Sequence, residues 1–201
     1  FNEGLETNIK SELLHIISQR GHSKGMRKVI LHIGLHKTGT KFFQHKVFPN
    51  LPDSYVYNPP LLTQYVTDLC RCEDDEIAMV ISGVENELTK ISLKKTLVIS
   101  REIMSGDLFS FYNRSSCEIV NRLGVIFPSA KILLSLRYQP DWLVSCYREY
   151  IYAHNYHDIG YFLGVKEGKD NELRPYKFSD LDYGEIIERF IDCFGKQNLN
   201  I

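Results

Sequence analysis

A glycine-bounded loop that contains two lysines follows the first continuous apolar segment of the chain. Its sequence is Gly34-Leu35-His36-Lys37-Thr38-Gly39-Thr40-Lys41. Successive backbone N–H groups of such a loop, together with the positive end of a following helix, bind an anion without any side-chain charge. Gly34 and Gly39 let the backbone approach the oxygens of the anion closely, and Lys37 adds a positive charge that can follow a moving group. The loop therefore predicts a phosphate-binding site.

Short apolar segments alternate with segments of helical period after residue 28, and this order determines where the loop lies. The predicted strands are 28–33, 96–100, 131–136 and the beginning of a strand at Leu199, and the predicted helices are 115–127, 140–152 and 183–194. Continuous apolar strands are typical of a parallel sheet that is covered on both faces. The alternation predicts an α/β fold, a doubly wound parallel sheet flanked by helices. The loop then lies at the carboxyl end of the first strand.

The order of residues around the second glycine separates two kinds of phosphate loop. Gly34 and Gly39 have the spacing of the nucleotide-triphosphate loop G-x-x-x-x-G-K-[ST], but Thr40 and Lys41 follow in the reverse order. The pattern Gly-x-His-Lys-Thr-Gly-Thr after a strand instead resembles the 5'-phosphosulfate loop of the sulfotransferases that use 3'-phosphoadenosine 5'-phosphosulfate (PAPS). The family, in its bacterial and carbohydrate types, has a P-loop-type fold. Lys41 departs from the family pattern, which has Thr or Ser there.

The resemblance implies that PAPS is the sulfuryl donor and that the loop binds its 5'-phosphosulfate. The loop residues implied in donor binding are Gly34, Lys37, Thr38, Gly39, Thr40 and Lys41. A second segment, Leu133–Ser145, resembles the 3'-phosphate site of the family, which implies that Arg137 and Ser145 bind the 3'-phosphate. The alternative is that Arg137 ends a strand and Ser145 is a buried helix hydroxyl. A third segment, 181–199, resembles a late scaffold segment of the bacterial type.

Sulfuryl transfer would place different residues on the leaving group and on the acceptor. The group passes in line between two oxygens, so catalysis is mainly positioning and stabilisation of charge on the leaving phosphate. Lys37 is expected to neutralise that charge. The acceptor hydroxyl needs a general base, and Glu102 follows the strand 96–100 at the edge where α/β sheets bind ligands. The alternatives are that His36 is the base, as in other branches of the family, or that Glu102 is an exposed acid that starts a loop.

Three questions of function stay open in the sequence. The resemblance implies a hydroxyl-bearing sugar, lipid or small molecule as the acceptor. One group of histidines and tyrosines either lines an acceptor pocket or belongs to a solvated aromatic loop, namely His154, His157, Tyr150, Tyr152 and Tyr156. A P-loop nucleotide kinase shares the fold but requires Mg²⁺ and a Lys-Ser/Thr pair after Gly39. A non-catalytic module that only binds adenosine bisphosphate is the third reading. The oligomeric state is not encoded in any of these patterns.

The chain divides into a short N-terminal segment and one domain. Apolar residues at helical spacing between Leu5 and Ile17 predict an amphipathic helix, so we assign 1–25 to this helix and a linker, and 26–201 to the sulfotransferase domain. The last residues enter a strand at Leu199, and we expect the domain to lack C-terminal residues. The role of the first helix is not indicated by its sequence.

Charge, cysteines and hydropathy restrict the partners. The 24 lysines and arginines nearly balance 25 aspartates and glutamates, so no overall field favours nucleic acid, and we expect none as a partner. Five scattered cysteines predict reduced thiols and a cytoplasmic protein, and their spacing fits no zinc or redox pair. We expect no metal site and no transmembrane segment, because no apolar run approaches the roughly 20 residues that span a bilayer.

Overall fold

Five parallel strands form a single sheet in the part of the chain that the structure describes. The computed structural model describes residues 27–106, 116–153, 158–163 and 182–201. The strands are β1 (Val29–Gly34), β2 (Tyr55–Tyr57), β3 (Thr96–Ser100), β4 (Lys131–Ser135) and β5 (Leu199–Asn200). Their order in the sheet is β2-β3-β1-β4-β5, and every neighbouring pair is parallel. The predicted doubly wound α/β fold is confirmed.

Seven α-helical segments flank the sheet in the described ranges. They are α1 (Thr40–Phe42), α2 (Pro60–Leu69), α3 (Ile77–Thr89), α4 (Ser116–Ile126), α5 (Gln139–Ala153), α6 (Ile159–Phe162) and α7 (Tyr183–Phe194). A π-helical turn (Phe43–Val47) and a 3-10 turn (Phe48–Asn50) continue α1, and further 3-10 turns follow β3 at Glu102–Ser105 and α7 at Lys196–Asn198. No described helix is long and apolar enough to cross a membrane.

The predicted strands and helices lie within one residue of the observed bounds. The sequence analysis did not assign β2, α2 or α3. Strand β2 has three half-buried residues, which is too short to show an alternating pattern.

The predicted helix between Leu5 and Ile17, together with His154, Tyr156 and His157, lies outside the described residues. Of the other two tyrosines in that group, Tyr150 is buried in the core and Tyr152 is exposed.

The main hydrophobic core lies on one face of the three central strands. Side chains that are fully buried come from each of them, namely Leu31, Ile33, Leu97, Ile99, Ile132 and Leu134. The parallel register aligns the carboxyl ends of these strands, since His32 is opposite Ser100 of β3 and Gly34 is opposite Ser135 of β4. The connections that leave β1 and β4 run to opposite sides of the sheet, so a crevice opens between their carboxyl ends.

A buried arginine holds the α2–α3 connection against α4. Arg122 of α4 donates hydrogen bonds to Leu69 O (2.9 Å) and Cys72 O (3.0 Å), and it pairs with Asp74 at 2.6 Å. Asp74 belongs to the acidic run 73–76 that immediately precedes α3. Because the arginine is paired and hydrogen-bonded, its charge is compatible with burial.

The cysteines contribute to the core and not to cross-links. All five are free thiols, and Cys70, Cys72 and Cys146 are buried. Burial raises the pKa of the Cys70 thiol to about 12, so this thiol stays protonated and unreactive at neutral pH.

A buried histidine connects the carboxyl ends of the three central strands. The His32 ring is within 2.7 Å of Ser100 Oγ through Nδ1 and within 2.9 Å of Ser135 Oγ through Nε2. It packs against the rings of Phe43 and Phe48, with centroids 4.9 and 5.0 Å away. Burial lowers the pKa of His32 to about 4. The neutral ring therefore cross-links β1, β3 and β4 directly below the loop that follows β1.

Two amides extend this polar cluster toward the surface. Gln44 donates to the carbonyl and the hydroxyl of Ser100, at 3.2 and 3.1 Å. Asn58 accepts from the Ser100 amide at 2.8 Å and donates to its carbonyl at 3.2 Å. The end of β3 is thus bonded to the turn after α1 and to the residue after β2, which fixes the start of the segment that carries Glu102.

We predict that His32 makes the fold acid-sensitive. The pKa of His32 is lower in the folded chain than in the unfolded chain, so the unfolded state binds the extra proton between about pH 6.5 and pH 4. Stability should fall as pH is lowered through that window, with a contribution of at most about 1.4 kcal/mol per pH unit. Urea unfolding of the parent and of His32→Gln from pH 7 to pH 4 measures it. In His32→Gln the free energy of unfolding should fall less steeply as the pH is lowered.

At neutral pH, His32→Gln should lower the free energy of unfolding by about 1–3 kcal/mol, because it leaves buried hydroxyl groups without their partner. The control His45→Gln carries the same substitution at an exposed position. Its free energy of unfolding should depend on pH in the same way as that of the parent. Identical slopes for His32→Gln and the parent would contradict the prediction.

Candidate active site

Two close contacts between residues of the loop that follows β1 shape its backbone. A Cβ atom at Gly34 would overlap Thr40 Oγ1, so only glycine fits where β1 meets α1. Within the loop, both the amide and the hydroxyl of Thr38 donate to Leu35 O, at 3.2 and 2.6 Å. Thr38 therefore closes a turn, and its two donors define the curvature of the loop.

Several loop amides stay available for an anion. Those of His36, Lys37, Gly39, Thr40 and Lys41 donate to no backbone carbonyl of the described residues. Lys37 and Gly39 have left-handed backbone conformations, with φ of 64° and 86°. Left-handed residues that alternate with right-handed ones turn successive N–H groups toward a common centre, which is how backbone nests bind anions.

Helix α5 and the segment just before it bind the outside of this loop through two of its carbonyl groups. Trp142 Nε1 donates to His36 O at 2.6 Å, and Arg137 Nη1 reaches Lys37 O at 3.4 Å. Lys37 is not a glycine, and its left-handed backbone is unfavourable by about 1–2 kcal/mol. The two contacts offset this cost because they hold the carbonyls on either side of the strained residue. Trp142 is itself buried.

The C-terminal helix supports the same corner. Tyr183, the first residue of α7, donates its hydroxyl to Arg137 O at 3.0 Å, and its ring lies 5.5 Å from the ring of Trp142. Burial raises the pKa of the Tyr183 phenol to about 12, so this donor keeps its proton. The segment after β4 is therefore held by the loop on one side and by α7 on the other.

The Lys37 side chain forms an ion pair with α5. Its Nζ lies 2.6 Å from Glu149 Oε2, and the two side chains are 35% and 46% exposed. Sequence reasoning did not single out Glu149. The sequence feature that could have identified Glu149 is its four-residue spacing from Ser145 in a predicted helix, which puts both residues on one helix face.

Glu102 and His36 lie next to each other. They were alternative candidates for the base, but the structure brings them together, with His36 Nδ1 3.5 Å from Glu102 Oε2. The His36 contact is the largest cause of a lowered pKa of the Glu102 carboxyl, and the positive charges of Lys41 and Lys37 act in the same direction against burial. The carboxylate is thus ionised and lies within electrostatic range of both loop lysines.

The 3-10 turn after β3 places this carboxylate near the loop. Ser105, at the end of the turn, donates its hydroxyl to Glu102 O at 2.8 Å and approaches Gly34 O at 3.4 Å. Met104 between them is fully buried. The turn is consequently bonded to the end of β1, a contact that no sequence pattern had indicated.

The remaining predicted donor-binding residues lie at the same edge of the sheet. Arg137 is exposed beyond the end of β4, and Ser145 is half-buried on α5, two turns further along. Their contact with a second phosphate stays a prediction. Lys41 is exposed in α1, with its charge near Glu102.

Two buried polar atoms around the loop lack a hydrogen-bond partner. They are Thr40 Oγ1, on a side chain that is 1% exposed, and His36 Nε2. An unpaired buried polar group is unfavourable, so such atoms often mark a ligand site. These atoms and the free loop amides fit an oxyanion of phosphate or sulfate. The described residues contain no group of three or more metal-ligating side chains.

Comparison with known proteins identifies the fold. No protein-family model and no curated protein matches the chain. Among solved structures, a sulfotransferase from Alicyclobacillus acidocaldarius is similar, with a TM-score of 0.57, 15% sequence identity, and coverage of 87% of this chain and 72% of that one. The chain therefore has a sulfotransferase-like α/β fold.

We predict that loss of the His36 ring nitrogens raises the pKa of Glu102. In His36→Phe the carboxyl keeps its burial, which raises the pKa, but loses the contact that lowers it most. Carbon-13 NMR of labelled glutamate carboxyl groups, titrated against pH, measures the change. Lys41→Ala should shift the Glu102 titration in the same direction and by less.

His45→Phe is the matched control, because His45 is an exposed histidine on the π-helical turn. An unchanged Glu102 titration in His36→Phe would show that the 3.5 Å approach does not stabilise the carboxylate.

Proposed function

We propose that this protein is a sulfotransferase that transfers the sulfuryl group of PAPS to a hydroxyl acceptor. One observation carries the proposal: the ends of three adjacent strands bring a phosphate-type loop with Lys37, a strand-end arginine and an ionised carboxylate to one crevice. The sulfotransferase-like fold and the resemblance of the loop sequence support the same conclusion. The free thiols favour a reducing compartment such as the cytoplasm.

The loop after β1 would bind the 5'-phosphosulfate of the donor. Its free amides would donate to the non-bridging oxygens, and Lys37 would neutralise the negative charge that develops on the bridging oxygen as the S–O bond breaks. Such stabilisation is strongest in the transition state, which is what makes it catalytic and not only a contribution to binding.

Glu102 would serve the acceptor. The acceptor oxygen attacks sulfur in line with the leaving phosphate oxygen, and Glu102 takes the hydroxyl proton as the new S–O bond forms. Its lowered pKa keeps the carboxylate ionised and ready to accept that proton. His36 would position the carboxylate from 3.5 Å away, so the two candidates act as one unit.

Arg137 and Ser145 would bind the 3'-phosphate of the donor. The guanidinium beyond β4 already contacts the loop at Lys37 O. Arg137 follows β4 and Glu102 follows β3, and these strands lie on opposite sides of β1. The acceptor would be a sugar, a lipid or a small molecule, and no nucleic acid is needed as a partner. Specificity loops vary freely on such folds, so the fold alone does not select among acceptors.

A kinase would use the same fold with a different loop. The kinase loop has Lys-Ser/Thr after its second glycine, with the hydroxyl on Mg²⁺. Here Thr40 takes the first of these positions, with its hydroxyl buried against Gly34, and the lysine follows. A non-catalytic adenosine-bisphosphate module would bind the nucleotide and transfer nothing.

We predict that the protein binds adenosine 3',5'-bisphosphate and that Arg137→Ala weakens this binding by about 10- to 100-fold, the loss typical of a charged hydrogen bond. Isothermal titration calorimetry measures both. Lys131→Ala is the matched control, because Lys131 is exposed at the opposite end of the same strand. Equal affinity of Arg137→Ala and the parent would mean that the 3'-phosphate binds elsewhere.

We predict separable effects of Lys37 and Glu102 on sulfuryl transfer. Lys37→Ala should lower both donor affinity and rate, whereas Glu102→Gln should keep donor affinity and lose turnover by about 10²- to 10⁴-fold. The assay uses labelled PAPS with a panel of carbohydrate, lipid and phenolic acceptors, with and without EDTA.

Transfer should persist in EDTA, because the proposed mechanism assigns the donor charge to Lys37 and the loop amides. Activity that stops on chelation and returns with Mg²⁺ would favour the kinase. Nucleotide binding without transfer to any acceptor would favour the binding module. Full activity of Glu102→Gln would assign the base to another residue, with His36 the next to test.

A further inference from the structure

Lys37 already has an anionic partner in the absence of any ligand. Its ammonium lies 2.6 Å from the Glu149 carboxylate, on a helix that also carries Ser145. Glu149 follows Ser145 by four residues, so both side chains leave the same face of α5. The face that is expected to bind one donor phosphate therefore also holds the lysine that is expected to bind the other.

The other charged groups of the site are engaged differently. The Glu102 carboxylate is closest to His36, and Lys41 and Arg137 are exposed beside the loop. The loop amides donate to no backbone carbonyl. An incoming anion can bind to the amides without disturbing any ion pair, whereas Lys37 shares its charge with Glu149 until that pair opens.

We propose that Glu149 is a positioning residue that competes with the donor for Lys37. This inference rests on the proposed function, because it concerns the same lysine and the same phosphosulfate. The donor-free protein holds Lys37 on the Glu149 carboxylate, and donor binding transfers the ammonium to the phosphosulfate oxygens. Capture of the donor then has two steps, first by the backbone amides and then by the lysine.

The strength of the ion pair limits the size of the effect. Both side chains are more than one-third exposed, and exposed ion pairs contribute little because water and salt screen them. Removal of the competing carboxylate should therefore tighten nucleotide binding by about two- to fivefold at low ionic strength. The gain should shrink as the salt concentration rises, because both the pairing and the repulsion of the anion by Glu149 are screened.

A double-mutant cycle tests the competition. Adenosine 3',5'-bisphosphate is titrated calorimetrically into the parent, Glu149→Gln, Lys37→Ala and the double variant, each checked for folding by circular dichroism. Glu149→Gln should bind about two- to fivefold tighter than the parent. In the Lys37→Ala background the same substitution should have a clearly smaller effect, because no lysine remains to be released.

Glu87→Gln is the matched control, because it removes another ion-pair carboxylate, that of Glu87 with Lys90. It lies near the end of α3, where Leu88 O binds Arg27 at the amino edge of the sheet, opposite the loop. Binding by this variant should equal that of the parent.

Three results would overturn the inference. The first is nucleotide binding by Glu149→Gln that is equal to or weaker than that of the parent, because removal of a competitor for Lys37 must tighten binding. An equal gain with and without Lys37 would mean that Glu149 only repels the anion through space. If no folded variant, including the parent, binds the nucleotide, the proposed function fails, and this inference fails with it.

Discussion

The hydrogen bonds that Trp142 of α5 and Arg137 just before α5 donate to the carbonyl groups of His36 and Lys37 hold the loop after β1 in place. A lysine in a left-handed conformation is unfavourable by itself, and position 37 of the loop holds a lysine where glycine would adopt that conformation without strain. The indole of Trp142 and the guanidinium of Arg137 hold the carbonyls in place from outside. The inner side of the loop, with its free amides, is thereby left for an anion.

The same edge of the sheet is held from below by His32. Its two ring nitrogens contact hydroxyl groups of β3 and β4, so the three strand ends that carry the site residues share one buried ring. A buried polar cluster is favourable only when its members are satisfied, and here Gln44 and Asn58 supply the remaining bonds to Ser100. The loop after β1, Glu102 and Arg137 are therefore positioned by one connected framework.

Local patterns in the sequence predicted the strands and helices that depend on local forces. Strand β3 and helix α7 were predicted with their observed bounds, because β3 is a continuous apolar run and α7 has an Asp182 cap before it and Gly195 after it. Strand β2 was missed because its three residues gain their conformation from pairing with β3. The loop with Lys37 and the acid Glu102 were predicted as site residues from their positions after strands.

The contacts between these residues could not be predicted in the same way. The pairing of Lys37 with Glu149 and of His36 with Glu102 depends on how α5 and the turn after β3 pack against the loop. Helical spacing indicated that Ser145 and Glu149 share a face, but the burial of Trp142 decides which face of α5 meets the loop. Packing of this kind joins residues that are far apart in sequence, and linear patterns carry little information about it.

The distance along the chain between the loop and its supports has a consequence for folding. Trp142 contacts the His36 carbonyl across 106 residues, and Arg137 contacts the Lys37 carbonyl across 100. A ribosome that adds about 5–20 residues per second needs roughly 5–20 s to synthesise that interval. During this time the nascent loop has no indole or guanidinium to hold it, and closure of such long-range contacts is intrinsically slow. The loop after β1, which we propose to bind the donor, is therefore among the last parts of the domain to reach its final structure during synthesis.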